Sequence, residues 1–189
     1  GESDRAEREL LDLLERRGPS SETYGILGRV YKDRWLAAKE NGSGVLARGF
    51  LERAIDAYTK GFEADWRDAY PGINAVTLLE IRDPADARIK KILPVVRYAV
   101  ERRVARGGPD YWDYATLLEL AVIARDENAA AGALTSALAA VREPWEPEST
   151  ANNLRLIREA RAESGERLPW AEAIEEELVA VASDGQASA

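Results

Sequence analysis

A chain of 189 residues with 46% hydrophobic side chains has enough apolar surface for one compact domain or a short solenoid. Its 26 Lys and Arg against 34 Asp and Glu leave a net charge of -8, which repels a phosphate backbone and argues against general nucleic-acid binding. The absence of cysteine and histidine excludes disulfides, thiolate nucleophiles and the usual nitrogen and sulfur ligands of zinc.

Apolar residues recur at three- and four-residue steps, and no period-two alternation bounded by turns interrupts them, so an all-α chain is expected. The predicted helices, about nine, cover 3–17, 21–40, 45–65, 71–82, 85–106, 110–125, 127–142, 148–164 and 169–182. Ser20 or Ser21 can cap the second helix and Asp126 the seventh, while Pro71 and Pro84 suit first turns. Gly18, Gly107 with Gly108, and Gly165 mark helix ends. Pro94 lacks an amide donor and should kink or interrupt the fifth helix. Short connections make neighbouring helices antiparallel. Residues 1–182 are expected to form one domain and 183–189 a flexible tail. No run reaches the roughly 18 to 20 apolar residues of a membrane-spanning helix, and the opening GESDRAERELL lacks the apolar core of a signal peptide. A soluble, cytoplasmic protein without metal or cofactor is expected. The missing initiator methionine and an opening inside a helical pattern predict a piece of a longer protein.

A repeat underlies these helices. Tyr24, Leu27, Gly28 and Tyr31, followed by Ala54, Tyr58 and Gly61, have the spacing of a tetratricopeptide helix pair, in which small residues let two helices cross closely. The longer interval between the two sets is absorbed by the KENGSG turn and an extended first helix. The frame continues through Asn74, Ala75, Val76 and Leu79, then Tyr114, Leu117, Leu118 and Ala121 with Ala130, Leu134, Ala137 and Leu138. A degenerate unit follows in Asn153, Leu154 and Ile157 with Trp170, Ala173 and Ile174, and Ala6, Leu10 and Leu13 fit the second helix of a truncated first unit. The expected architecture is a right-handed α-solenoid of tetratricopeptide-like helix pairs.

The stretches ETYGILGRVYKDRW, AIDAYTKGFEADWRDAYPGINAVTLLE and DYWDYATLLELAVIARD resemble the TRAFs-binding domain, the tetratricopeptide-like regulatory region that precedes the kinase domain of apoptosis signal-regulating kinases. The chain also resembles the bacterial relatives of that region, the TPR-S type. The resemblance covers about residues 20–142, with YPGIN at 70–74 its most distinctive part. It implies a non-catalytic scaffold or sensor in stress, cell-death or prokaryotic immune signalling, joined in other proteins to effector domains.

In such a solenoid the first helices of successive pairs line a concave surface. Arg29, Lys32, Asp33, Tyr70, Asn74, Thr77, Trp112, Glu119 and Asn152 are expected there. Their amide, hydroxyl, aromatic and cationic groups suit a protein partner or effector domain, or a second copy of the chain; alternatively they suit a nucleotide-derived signal. The plainer reading is that Tyr70 and Asn74 cap and pack the short helix after Trp66. Trp112, flanked by Tyr111 and Tyr114, is the candidate stacking platform. Arg88, Lys91, Arg102 and Arg106 form a secondary basic ridge that could dock a phosphorylated or acidic partner or a nucleic-acid backbone, against the plainer reading of solvated helix charge. NGSGV at 41–45 lacks the ending of a phosphate-binding loop and reads as a turn. The acids Glu172, Glu175, Glu176 and Glu177 lie on the last helix with no histidine to work beside, so a hydrolase is disfavoured.

Overall fold

A computed structural model of the chain describes residues 1–187. Among the described residues the chain forms nine helices and no strand: α1 (Glu2–Arg17), α2 (Ser21–Glu40), α3 (Gly44–Ala64), α4 (Ala69–Arg82), α5 (Ala87–Ala105), α6 (Tyr111–Ala124), α7 (Glu127–Ala139), α8 (Trp145–Glu163) and α9 (Pro169–Ala187). The all-α expectation is met. The chain divides into two compact units, Gly1–Ala99 and the part from Val100 onward.

In the first unit α2 and α3 form the principal helix pair. Asn41, Gly42 and Ser43 reverse the chain between them, with Gly42 in the left-handed region at φ 67°. The crossing depends on a missing side chain. A Cβ on Gly28 would stand 2.7 Å from the Tyr58 ring, and Tyr58 is buried, so only glycine fits. Higher in the same pair, a Cβ on Gly61 would meet those of Tyr24 and Pro71 at 3.1 Å, while Ala54 has no exposed surface. These are the small positions that the repeat spacing singles out.

Helix α4 packs on α3 and α2, and every residue from Pro71 to Glu80 is buried. Gly72 makes that depth attainable, since a Cβ there would lie 2.6 Å from Val96 and 2.7 Å from Phe62. Asp68 starts the helix by accepting the Tyr70 amide, and also accepts the Ser21 hydroxyl at 2.5 Å, tying the start of α4 to that of α2. By contrast, α1 has no fully buried residue: Ala6, Leu10, Leu13 and Leu14 are half-buried, and polar contacts add to its attachment. Its Glu7 accepts from Tyr31 (2.8 Å) and Arg34 (2.5 Å) and pairs with Arg53 (3.2 Å), whose guanidinium lies 4.7 Å from the Tyr31 ring centre.

In the second unit α6 pairs with α7 and α8 with α9. Ala130 and Ala137 have no exposed surface, and Ala137 packs with Tyr111 and Ala115. Asp110 and Asp113 close a reciprocal capping box at the start of α6. At its other end Arg161, 1% exposed, reaches from α8 to donate to the carbonyls of Val122 and Ile123, both at 2.9 Å. Arg125 also donates to both carbonyls, through its amide to Val122 and through its guanidinium to Ile123, and a cation at this end of the helix complements its dipole.

Several boundaries differ from expectation for local reasons. Helix α5 runs through Pro94 without interruption; Pro94 and Lys90 are both exposed, so the carbonyl freed by the missing amide can bond to water. Pro84 lies outside α5, whose start is organised by Asp86 accepting the Arg88 amide. Helix α8 begins at Trp145, with the buried Glu146 accepting the amides of Arg142 and Glu143. At the start of α9 the buried small residue is Ala171, while Ala173 is exposed, which shifts the register of the degenerate unit. The expected tail falls partly within α9, which continues to Ala187, and partly at 188 and 189, outside the described residues.

Candidate functional site

Six of the nine groove residues lie in the first unit, on α2 and α4. Arg29 and Asp33 are exposed one turn apart on α2, and Lys32 is half-buried beside them. From α4 the Tyr70 ring lies over Gly25 of α2, where a Cβ would stand 3.2 Å from it, and remains 46% exposed. Below, Tyr70 meets Tyr58 edge to face at 6.1 Å. Burial, and then Tyr70 and Asp33, push the Tyr58 hydroxyl far above its ordinary pKa, with Arg29 opposing them. Tyr58 therefore stays neutral beneath Tyr70.

Asn74 does not offer its amide to solvent. It is buried, donates to the Tyr70 carbonyl at 3.0 Å and accepts from Lys32 Nζ at 3.3 Å. Thr77 is buried too. The plainer reading describes Asn74 well: it holds Tyr70 and Lys32 in place. The surface left to a partner in this unit consists of Arg29, Asp33, Tyr70 and the accessible part of Lys32.

The remaining three residues lie in the second unit. Trp112 is 39% exposed in the first turn of α6, where its amide binds Asp110. The Tyr111 ring meets it edge-on at 5.2 Å, while the Tyr111 hydroxyl turns inward to donate to Thr150 at 2.8 Å. The platform has a second member absent from the sequence reading: Trp145, 54% exposed, lies against Trp112 with ring centres 5.5 Å apart and planes tilted by 36°. Nothing in the sequence spacing pairs residues 33 positions apart; the packing of α8 against α6 does so. Glu119 is buried and accepts from Asn153 at 3.0 Å, whereas Asn152 is exposed and accepts from Arg155 at 3.1 Å.

The basic ridge is reduced at its first member. Arg88 forks onto Asp86, to which Arg82 also donates, and the Arg88 hydrogen bonds hold the Asp86 carboxyl down at about 2. Lys91 and Arg102 are exposed on α5, and the exposed Arg106 lies just past its end. Among the described residues there is no group of His, Cys, Asp or Glu arranged to hold a metal ion, and no helix long and apolar enough to cross a membrane.

Residues 1–179 match the family model of the MAP3K TRAFs-binding domain. The chain belongs to the MAP3K TRAFs-binding domain family. The resemblance carried by the stretches between Glu22 and Asp126 is borne out at that level, and it extends into α1 and α9. Among curated proteins, mitogen-activated protein kinase kinase kinase nsy-1 of Caenorhabditis elegans is 29% identical over 174 residues, which is 86% of this chain and 11% of that protein. The chain thus spans about a tenth of that relative's length. In this TRAFs-binding domain the GILG segment that seats Tyr70 and Tyr58, and the YPGIN segment that buries α4, are the stretches whose geometry is most restrictive.

Proposed function

We propose that this TRAFs-binding domain is a non-catalytic module that binds a protein partner of the TRAF class and so regulates a signalling effector. The observation that carries the reading is the family match over residues 1–179. The surface at Arg29, Asp33 and Tyr70 supports it: a half-exposed aromatic held by buried neighbours, flanked by charges of both signs, is the composition of a protein-binding hot spot. Membership in a family named for a MAP3K favours a stress or cell-death setting in the cytoplasm. A TPR-S-like role in prokaryotic immune signalling, and self-association through the same surface, are the alternatives within a protein-binding role.

Co-purification of the chain with a TRAF-domain protein tests it. Arg29→Glu should reduce recovery of the partner without changing the melting temperature; equal recovery with the variant, or none with the wild type, would count against the reading. A second reading, a sensor for a nucleotide-derived signal, is favoured within the first unit by the cations Arg29 and Lys32 near the half-exposed Tyr70. The commitment of both ends of the Asn74 amide weighs against it, since that group would otherwise read a base edge. A nucleotide that raises the melting temperature in proportion to its concentration would reverse the preference.

A further inference from the structure

The two units differ in charge. Residues 1–99 carry 17 Lys and Arg against 17 Asp and Glu, whereas residues 100–189 carry 9 against 17, so the entire net charge of -8 belongs to the second unit. Several cations of that unit already have internal partners. Arg103 pairs with Asp110 and Asp113, Arg125 with Glu166, Arg155 and Arg158 with Glu175, and Arg161 binds the carbonyls at the end of α6. The half-exposed indole pair of Trp112 and Trp145 belongs to this acidic unit. Beside it in sequence are Asp110, Glu143 and Glu148, the last two exposed and the last one turn along α8 from Trp145; Arg142 is the neighbouring cation.

We propose that the Trp112 and Trp145 indoles form a docking site for an arginine side chain of a cationic peptide segment. This rests on the partner-binding reading above and goes beyond it by naming a second place of recognition, on the second unit, and its chemistry. Two large aromatic rings left 39% and 54% exposed in adjacent first turns represent apolar area that a monomer ordinarily buries. Centres 5.5 Å apart leave no room for a group between the rings, so a ligand meets their outward faces. An indole face attracts a guanidinium through its quadrupole, and arginine is less strongly hydrated than lysine, so arginine stacks more readily. The negative surroundings draw the same partner from a distance and repel a phosphate, which selects a cationic peptide over a nucleotide. The site is fixed in advance. The Asp110 cap and the Tyr111 hydrogen bond to Thr150 hold Trp112, and the Glu146 bonds to the amides before it hold the start of α8.

The test uses the whole chain labelled with fluorotryptophan, titrated with a blocked nonapeptide of three Gly-Ser-Arg repeats, its citrulline counterpart, and AMP. The arginine peptide should shift the fluorine signals of Trp112 and Trp145 and leave those of Trp35, Trp66 and Trp170 in place. Salt should weaken the effect, citrulline and AMP should fail to produce it, and Trp145→Leu should weaken binding about fivefold. Equal shifts with citrulline or AMP, shifts centred on Trp66, or undiminished binding by Trp145→Leu with a native circular dichroism spectrum would overturn the proposal. TRAF-domain co-purification that survives Trp145→Leu alongside any of those results would overturn this site alone. Loss of co-purification by the wild type would instead overturn the partner reading.

Discussion

At the scale of single residues, the crossing of α2 and α3 turns on Gly28. Its neighbour in space is the ring of Tyr58, buried and packed edge-on against Tyr70, so the ring cannot swing aside to admit a methyl group. Gly28→Ala should destabilise the chain by about 1 to 3 kcal/mol, the usual cost of overpacking, even though alanine is the better helix former. A urea titration measures this, and a neutral result would mean that the two helices lie further apart than described. Arg161 is the corresponding position of the second unit. Arg161→Met keeps much of the apolar stem but removes one of the two donors on each of the Val122 and Ile123 carbonyls, Arg125 keeping the other, and a loss of about 1 to 3 kcal/mol is expected. Arg161→Lys should rescue only part of it, because one ammonium cannot reproduce the fork.

Among the elements, α1 has no fully buried residue, and the Glu7 cluster that ties it to α2 and α3 is charged. Burial opposes ionisation of Glu7, but the Tyr31 hydroxyl, Arg34 and Arg53 outweigh it and hold the carboxyl below its ordinary 4.5. Burial and the same hydrogen bond push Tyr31 up to about 12. The Glu7 contribution is therefore complete above pH 4.5 and is lost as pH falls through the lowered folded-state value. Hydrogen exchange in α1 should rise ahead of exchange in α3 on acidification, and Glu7→Gln should give raised α1 exchange already at neutral pH. Exchange that rises equally in both helices would show that α1 is held by other means. The elements also show what the sequence could convey. Local rules placed nearly every helix, because capping and periodicity act over a few residues: Ser20, Asp126, Gly18 and Gly165 all stand where their chemistry put them. Crossings were legible where a glycine or alanine leaves a gap at repeat spacing. What escaped was long-range: Trp145 reaches Trp112, and Arg161 reaches the end of α6, only because α8 packs on α6. Asn74 has the composition of a binding residue and the surroundings of a structural one, and only its bonds to Tyr70 and Lys32 separate the two.

For the whole molecule, the charge division is plain in the sequence once the unit boundary is known: a neutral first unit with mixed charges around Tyr70, and a second unit carrying the full excess of acid. A partner held through Arg29, Asp33 and Tyr70 should associate with modest salt dependence, because attraction and repulsion from the two signs offset each other. Family membership makes a TRAF-domain protein the partner to test, and the shape of Tyr70 makes it the residue to change. Isothermal titration of this chain with such a protein should show saturable binding that Tyr70→Ala weakens about tenfold, as truncation of a central aromatic anchor does, with a melting temperature close to the wild-type value. Heats indistinguishable from dilution, or binding that Tyr70→Ala leaves unchanged, would contradict the account.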